Sequence, residues 1–326
     1  MKRRDCTGRL VTRSEESVAD YSKRYVALRA TAERETGRRC NAADVAAWLC
    51  RQDGRWAASS IRQYVAAIRQ GAEAEAITDD VRALVEAHLS EKPAARVKGE
   101  KRTSAKKRKS LPQDEHTTLM AYLTKSSRSD DKLIAGYLMF NIALFLRPIE
   151  YRDAYIERVE RDSGSGQSSV LLVVRNAKAT NGRANGSVRK RDLSQCDPKY
   201  VRALELFLLR FQRALDTAGS WKALRDRLAS RLARVCETHN IDRVSFYTLR
   251  HVGMATAKRS MTPVEVAAAA GHGSVHTAMS HYAKRRSGWH LSRAFAGKPT
   301  PDSIAAVRGQ PKAFRPGAVK LGPRMP

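Results

Sequence analysis

Along most of this chain apolar residues recur at spacings of three and four, and the elements they predict are helices. The first begins at Ser14, with Val18, Tyr21, Tyr25 and Leu28 on one face. Asn41 stands where a cap belongs before a second helix, whose inward positions are Val45, Trp48 and Leu49. Ser59 or Ser60 starts a third, burying Ile61, Tyr64, Val65 and Ile68 while Arg62 and Arg69 point elsewhere. Thr78 opens a fourth, with Val81, Leu84, Val85 and Leu89 inward. These four helices, over residues 14–95, predict a compact all-helical domain.

The pattern then stops. Residues 96–109, RVKGEKRTSAKKRK, carry eight bases against one acid and no apolar period, so they read as a tether that can also lie along a polyanion. Periodicity resumes after Leu111, where Pro112 suits the first turn of a helix bearing Leu119, Met120 and Leu123. Residues 133–146 are apolar nearly all round, interrupted by Asn141, which predicts the core helix of a second domain. That helix is expected to break at Arg147-Pro148, because the residue before a proline is pushed out of the α region. A charge at that terminus needs an anion, which Glu150 or a ligand can supply.

Period two appears in one place. SVLLVVR, residues 169–175, reads as a strand, and a second over residues 188–193 makes a hairpin with two Asn-Gly turns and a basic tip holding Lys178 and Arg183. That tip is either solvated or reaches into a groove. Helices return over residues 198–214 and 222–239. Thr262, Pro263 and Glu265 form a capping box for a further helix that ends at Gly271, leaving His272 on a turn. From residue 298 the chain is Pro- and Gly-rich and basic, and is expected to be a mobile tail. The fold class is thus mainly α with a small antiparallel β-sheet, an α+β protein.

Charge changes the picture from fold to partner. With 61 Lys and Arg against 33 Asp and Glu, the net charge of +28 exceeds what solubility needs and implies a polyanion. Nucleic acid leads and an anionic membrane surface follows. No apolar run reaches the roughly 18 residues of a membrane span, and no secretory h-region follows the basic N-terminus. Five scattered cysteines without metal-ligand spacing speak for a reducing cytoplasm and against a structural metal. Arg62, Arg69, Lys101, Arg102, Lys106, Lys107, Arg108, Lys109 and Arg183 are the candidate DNA contacts; each alone also suits a solvated face.

The candidate chemistry lies in Arg147, Lys178, Arg250, His272 and Tyr282. Two arginines converging on one phosphodiester can hold its nonbridging oxygens and stabilise charge developing at phosphorus. A tyrosine can attack that phosphorus, a hairpin lysine can protonate the leaving oxygen, and a histidine can bond the phosphate or assist the tyrosine. No metal or cofactor is required. Lys190 and Arg183 compete with Lys178 for the hairpin role, and Tyr247 competes with Tyr282.

In their order these residues resemble the catalytic domain of the tyrosine recombinases, the phage integrase family, over residues 112–296. LFLRPIE matches the first arginine and the acid after it (Arg147, Glu150), RNAKATNGR the hairpin lysine (Lys178), YTLRH the H-x-x-R box (Arg250), AAGHGSV the L-G-H-x-S box (His272) and SHYAKR the nucleophile (Tyr282). The chain departs from the family in Tyr247 at the first H-x-x-R position, in Pro148, and in a His272-to-Tyr282 distance of ten residues, one more than the usual pattern. Glu150, Tyr247 and His251 are accessory candidates.

The resemblance implies an N-terminal arm (1–13), a helical core-binding domain (14–95), a basic linker (96–111), an integrase-like catalytic domain (112–297) and a basic tail (298–326). It implies cleavage and rejoining of double-stranded DNA through a 3'-phosphotyrosine, for a mobile genetic element. It also implies a homo-tetramer on two sites, assembled from monomers or dimers, with the C-terminal segment a candidate for exchange between protomers. Accessory DNA-bending or directionality proteins, and a cytoplasmic, nucleoid-associated location in a prokaryote, belong to the same expectation. A noncatalytic DNA-binding protein on the same fold and a relaxing topoisomerase of type IB are the alternatives.

Overall fold

The computed structural model describes residues 15–91, 93–95, 108–160, 168–177, 179, 184–280, 282–290 and 297–308. They fall into two compact units, one within residues 15–95 and one within residues 108–308. Among the described residues no helix is long and apolar enough to cross a membrane.

The first unit is four helices, α1 (Glu15–Thr36), α2 (Ala42–Cys50), α3 (Ala58–Ala74) and α4 (Asp79–Ser90). Its core gathers Tyr25, Leu28, Val45, Trp48, Leu49, Ile61, Val65, Ile68, Val85 and Leu89. The Asn41 side chain accepts from the Asp44 backbone N–H while the Asp44 carboxylate accepts from that of Asn41, a reciprocal cap for α2. Thr78 caps α4. Glu75 accepts from the Tyr25 hydroxyl (2.6 Å), from Arg29 and from the Ala42 N–H, pinning the end of α3 to α1 and α2.

Two details differ from the periodic reading. Helix α3 starts at Ala58 without a side-chain cap, so Ser59 and Ser60 lie inside its first turn. Trp56, edge-on to both Trp48 and Tyr64, packs the chain at its entry in place of a hydroxyl cap. Leu84 is 48% exposed, because α4 buries only the narrow stripe of Val81, Val85 and Leu89.

In the second unit, α5 (Gln113–Lys125) and α6 (Ser129–Leu144) lead into a 3-10 turn (Pro148–Arg152) and three strands, β1 (Tyr155–Glu160), β2 (Ser168–Arg175) and β3 (Val188–Asp192). Then follow α7 (Pro198–Ala218), α8 (Trp221–Thr238), α9 (Phe246–Ala257), α10 (Pro263–Ala270), α11 (Val275–Ser280), a 3-10 turn (Arg285–Ser287), β4 (Lys298–Pro299) and α12 (Pro301–Ala305). The sheet is antiparallel in the order β1-β2-β3-β4, with Ile156 opposite Leu172 and Leu172 opposite Arg191. The fold class is mainly α with a small antiparallel sheet.

Helix α6 is the hub of the core, and its Asn141 is no flaw. That side chain is wholly buried, donating to the Tyr137 hydroxyl (2.8 Å) and accepting from the Tyr151 hydroxyl (2.9 Å), while Tyr137 donates to the Phe246 carbonyl at the start of α9. Buried polar groups satisfied in this way specify register without the desolvation cost of an orphan.

The helix ends at Leu144, earlier than the expected break at Arg147-Pro148. Phe145 takes the left-handed conformation (φ 40) and its N–H bonds to the Asn141 carbonyl. Buried Arg191 of β3 donates to the carbonyls of Ala143 and Leu144, and lies over the Phe145 ring at 5.0 Å. A cation at a helix C-terminus is favourable, and this one satisfies carbonyls the helix leaves open. Burial lowers the Arg191 pKa only to about 10, so it remains charged at neutral pH.

The expected tail does not begin at residue 298. Residues 297–308 add β4 to β3 and place α12 against the unit, with Ile304 and Val307 packed beside Phe145, Met254 and Val266. Ser303 accepts from the Lys190 N–H at 3.0 Å, and Asn185 donates to the Ser303 carbonyl. Two short elements around prolines carry no periodic signal, yet their apolar residues fill a small core that α10 opens with its alanines. Residues 309–326 lie outside the described residues, as do residues 1–14 and 96–107.

Candidate functional site

Four elements bring the site together. Helix α9, capped reciprocally by Ser245 and Thr248, carries Arg250 on its fully buried face. It crosses α6 at Gly253, where a Cβ would meet the Ile142 carbonyl oxygen at 2.7 Å, so only glycine permits the approach. That closeness lets the Arg250 Nη1 donate to the Phe145 carbonyl at 2.6 Å, a carbonyl aimed by the left-handed turn that ends α6. Its Nη2 donates to the Ala270 carbonyl at 2.9 Å, at the end of α10.

Helix α10 opens on the Thr262-Glu265 capping box behind Pro263 and ends at Gly271 with φ 70, as its sequence requires. His272 follows on the turn, 1% exposed, with its Nε2 3.0 Å from Arg250 Nη2. A guanidinium can only donate, so Nε2 accepts and the ring proton sits on Nδ1. Nδ1 is buried with no hydrogen-bond partner among the described residues. Burial, with Arg250, Arg147 and Arg189 nearby, drives the His272 pKa down to about 2, and the ring is neutral at working pH.

Tyr282 comes just after α11. Its hydroxyl accepts from Arg250 Nε at 3.1 Å, and its ring lies 5.2 Å from the Arg250 guanidinium carbon, 5.1 Å from the His272 ring and 5.2 Å from that of His251. Contacts from the last turn of α9 and the two residues after it hold the segment: Lys258 Nζ donates to the Ala283 carbonyl (3.0 Å), Arg259 to that of Arg285, and the Trp289 N–H to Thr256. His251 is kept neutral by burial and by Lys109, Arg250 and Lys258, its pKa lowered to about 4. Its Nδ1 too lacks a partner among the described residues.

Arg147 follows α6 as the residue before the 3-10 turn, where Pro148 occupies the first turn position and removes a donor that would go unused. Its Nη1 and its backbone N–H both bond to Glu150, at 2.6 and 2.7 Å. Glu150 has 2% exposure and also receives Arg189 at 2.8 Å, with Arg250 Nη1 3.8 Å away. Burial alone would raise its pKa, but Arg189, Arg147 and Arg250 outweigh that and hold it well below the usual carboxylate range. Arg147 is likewise opposed by burial and still raised, mainly by Glu150.

Three buried guanidiniums thus share one buried carboxylate. The balance leaves an excess of positive charge out of water, a cost of several kcal/mol that an incoming anion relieves. Arg147 Nε is buried and has no partner among the described residues, so a donor waits unspent beside the nucleophile candidate. This set can bind a tetrahedral anion and present a phenol to it. Among the described residues no group of His, Cys, Asp and Glu gathers as a metal's ligands would.

The structure brings together Arg147, Glu150, Arg250, His251, His272 and Tyr282. Tyr247 borders them, 38% exposed on α9, its phenol pKa raised by burial. Lys178 and Arg183 lie outside the described residues, as do Lys101, Arg102, Lys106 and Lys107. Lys190, the rival lysine, is ion-paired with Glu157 of β1 at 2.7 Å. Arg62 and Lys109 are exposed. Arg69 pairs with Glu86, and Arg108 with Glu115 and the Asp242 carbonyl, so both have protein partners in addition to any outside one.

Arg189 and Asn176 escaped the sequence reading. Arg189 sits on a strand with two other basic residues, VRKRD, one of them exposed enough to pair at the surface, so its burial has no compositional signature. The signal that could have found it is alternation: Arg189 and Arg191 share a face of β3, and Val188 and Lys190 the other.

Models of known protein families give no match to this chain, and no curated protein matches it.

Proposed function

We propose that this chain is a site-specific tyrosine recombinase of a mobile genetic element. The observation that carries the reading is the Tyr282 hydroxyl held at 3.1 Å by Arg250, inside a buried cluster whose Arg147 Nε and His272 Nδ1 have no partner among the described residues.

In this reading the scissile phosphate of duplex DNA enters between Arg147 and Arg250. The Tyr282 oxygen attacks phosphorus, the bond from phosphorus to the 5'-oxygen breaks, and a 3'-phosphotyrosine forms. Lys178 supplies the proton to the leaving 5'-oxygen, and the phenol proton passes to solvent water as the new ester forms. His272, neutral with its proton on Nδ1, donates to a nonbridging oxygen, while the two arginines stabilise charge developing on the others. Religation by a second 5'-hydroxyl reverses the step, so strands exchange without an external energy source. Charge on the first unit and on residues 96–109 holds the DNA backbone. The active assembly is a homo-tetramer on two DNA sites, in the cytoplasm.

A pool of nicked duplexes of randomised sequence tests this. A denaturant-stable protein–DNA adduct is expected with the wild type and absent with Tyr282→Phe. Binding without adduct would point to a noncatalytic DNA-binding protein. Relaxation of supercoiled plasmid with no recombinant product would point to a topoisomerase.

A further inference from the structure

We propose that Arg189 is a positioning residue, holding in register three elements beside the anion site: the 3-10 turn of Glu150, the end of α10 and the end of β2. Its guanidinium is wholly buried and meets three different acceptors. Nη2 donates to Glu150 (2.8 Å), Nε to the Ala269 carbonyl (3.0 Å) and Nη1 to the Asn176 side-chain oxygen.

Two of the acceptors lead to groups of the site, and the third closes the base of the hairpin. Glu150 is the carboxylate that fixes Arg147, and Arg189 sets its rotation by holding Oε2 while Arg147 Nη1 and the Ala177 N–H take Oε1. Ala269 lies in the last turn of α10, three residues before His272. Asn176 ends the strand side of the hairpin, two residues before Lys178, and its amide donates to Asn185 (3.1 Å) and to the Gly186 carbonyl (3.0 Å), closing the hairpin base. Gly271 supplies an independent sign that this junction is tight: at φ 70, a Cβ there would run into both the Asn176 oxygen and Arg189 Nη1. Arg189 acts through these three partners, with each of its nitrogens donating to one of them.

A lysine keeps the charge but, with one ammonium, cannot span three acceptors set out for a planar fork. Arg189→Lys therefore separates geometry from charge. Two readouts are taken on the full chain. The first is the set of Nε–H resonances of arginine-labelled protein, with Arg147 and Arg250 assigned by their lysine variants. The second is the rate of adduct formation on the randomised nicked duplexes, beside affinity for the same pool.

The resonances of Arg147 and Arg250 are expected to move in Arg189→Lys. Adduct formation is expected to slow by about 100-fold, the scale of an ångström-level misplacement, with affinity unchanged. A folded variant with both resonances in place, or with adduct forming at the wild-type rate, overturns the assignment. Should Arg189→Lys fail to fold, Asn176→Ala removes one acceptor while sparing the Glu150 pair, and is read the same way. The kinetic arm rests on the recombinase reading. If the wild type forms no adduct, that reading fails and the resonances alone decide the role of Arg189.

Discussion

Arg250 donates through Nε to the hydroxyl of Tyr282 at 3.1 Å, and its two other nitrogens are taken by the carbonyls of Phe145 and Ala270 and by His272. Most of the donors a phosphate would use on Arg250 are therefore occupied by the protein itself, one of them by the proposed nucleophile. Removing the hydroxyl frees that donor. Tyr282→Phe is expected to abolish adduct formation while binding DNA as tightly as the wild type or slightly tighter, at a stability cost of about 1 kcal/mol for the lost hydrogen bond. Parallel filter-binding and thermal unfolding measurements check both halves; weakened DNA binding would contradict this arrangement.

Glu150 neutralises a cluster with three arginines around it. Its amide isostere keeps the shape and removes the charge, leaving buried cations without their counter-ion. Glu150→Gln is expected to lose about 3–5 kcal/mol in urea unfolding, the range for breaking a buried pair from one side. A loss under about 1 kcal/mol, the exposed-pair range, would mean that the cluster is solvated.

Two histidines respond to acid in a defined direction. His272 and His251 have folded-state pKa values lowered to about 2 and about 4. Unfolded, each returns to about 6.5. Between those values the unfolded chain binds protons that the folded chain does not, so their contribution is full above pH ~6.5 and declines as pH falls. Stability is expected to drop from pH 7 to pH 4.5, and His272→Gln to flatten that slope by at most about 1.4 kcal/mol per pH unit. A slope identical to the wild type would show that His272 takes up protons alike in the folded and the unfolded chain, and would contradict its burial as a neutral ring.

The excess of base should appear as salt dependence. With a net charge of +28, log affinity for duplex DNA is expected to fall linearly with log salt. Arg62→Ala and Lys109→Ala, both at exposed positions, are each expected to reduce the slope by about one. Titration by fluorescence anisotropy checks this, and affinity independent of salt would contradict a phosphate-backbone interface.

Much of the fold could be read from spacing, because helices with one buried face write their period into the chain. Asn41, Thr78, Thr262 and Gly271 cap where their chemistry requires. The misses have a common cause in tertiary contacts that local pattern does not encode. Strand β1 has exposed Tyr155 and Val159 and takes its place through pairing with β2 and long-range contacts such as Arg158 with Glu205 of α7. The end of α6 is set by Arg191, 47 residues later than the Leu144 carbonyl it holds. In the site, Arg147, Glu150, Arg250, His272 and Tyr282 could be named from residue types in order. Arg189 could not, since burial of a guanidinium depends on a carboxylate 39 residues away.

Two tyrosines on or near α9 offer a phenol to DNA. Tyr282 bonds to Arg250, while Tyr247 is 38% exposed at the border of the site. Mass spectrometry of the nuclease-trimmed, protease-digested adduct decides between them. A phosphodeoxynucleotide is expected on the peptide carrying Tyr282; a modification on Tyr247, or none on either peptide, would contradict Tyr282 as the nucleophile.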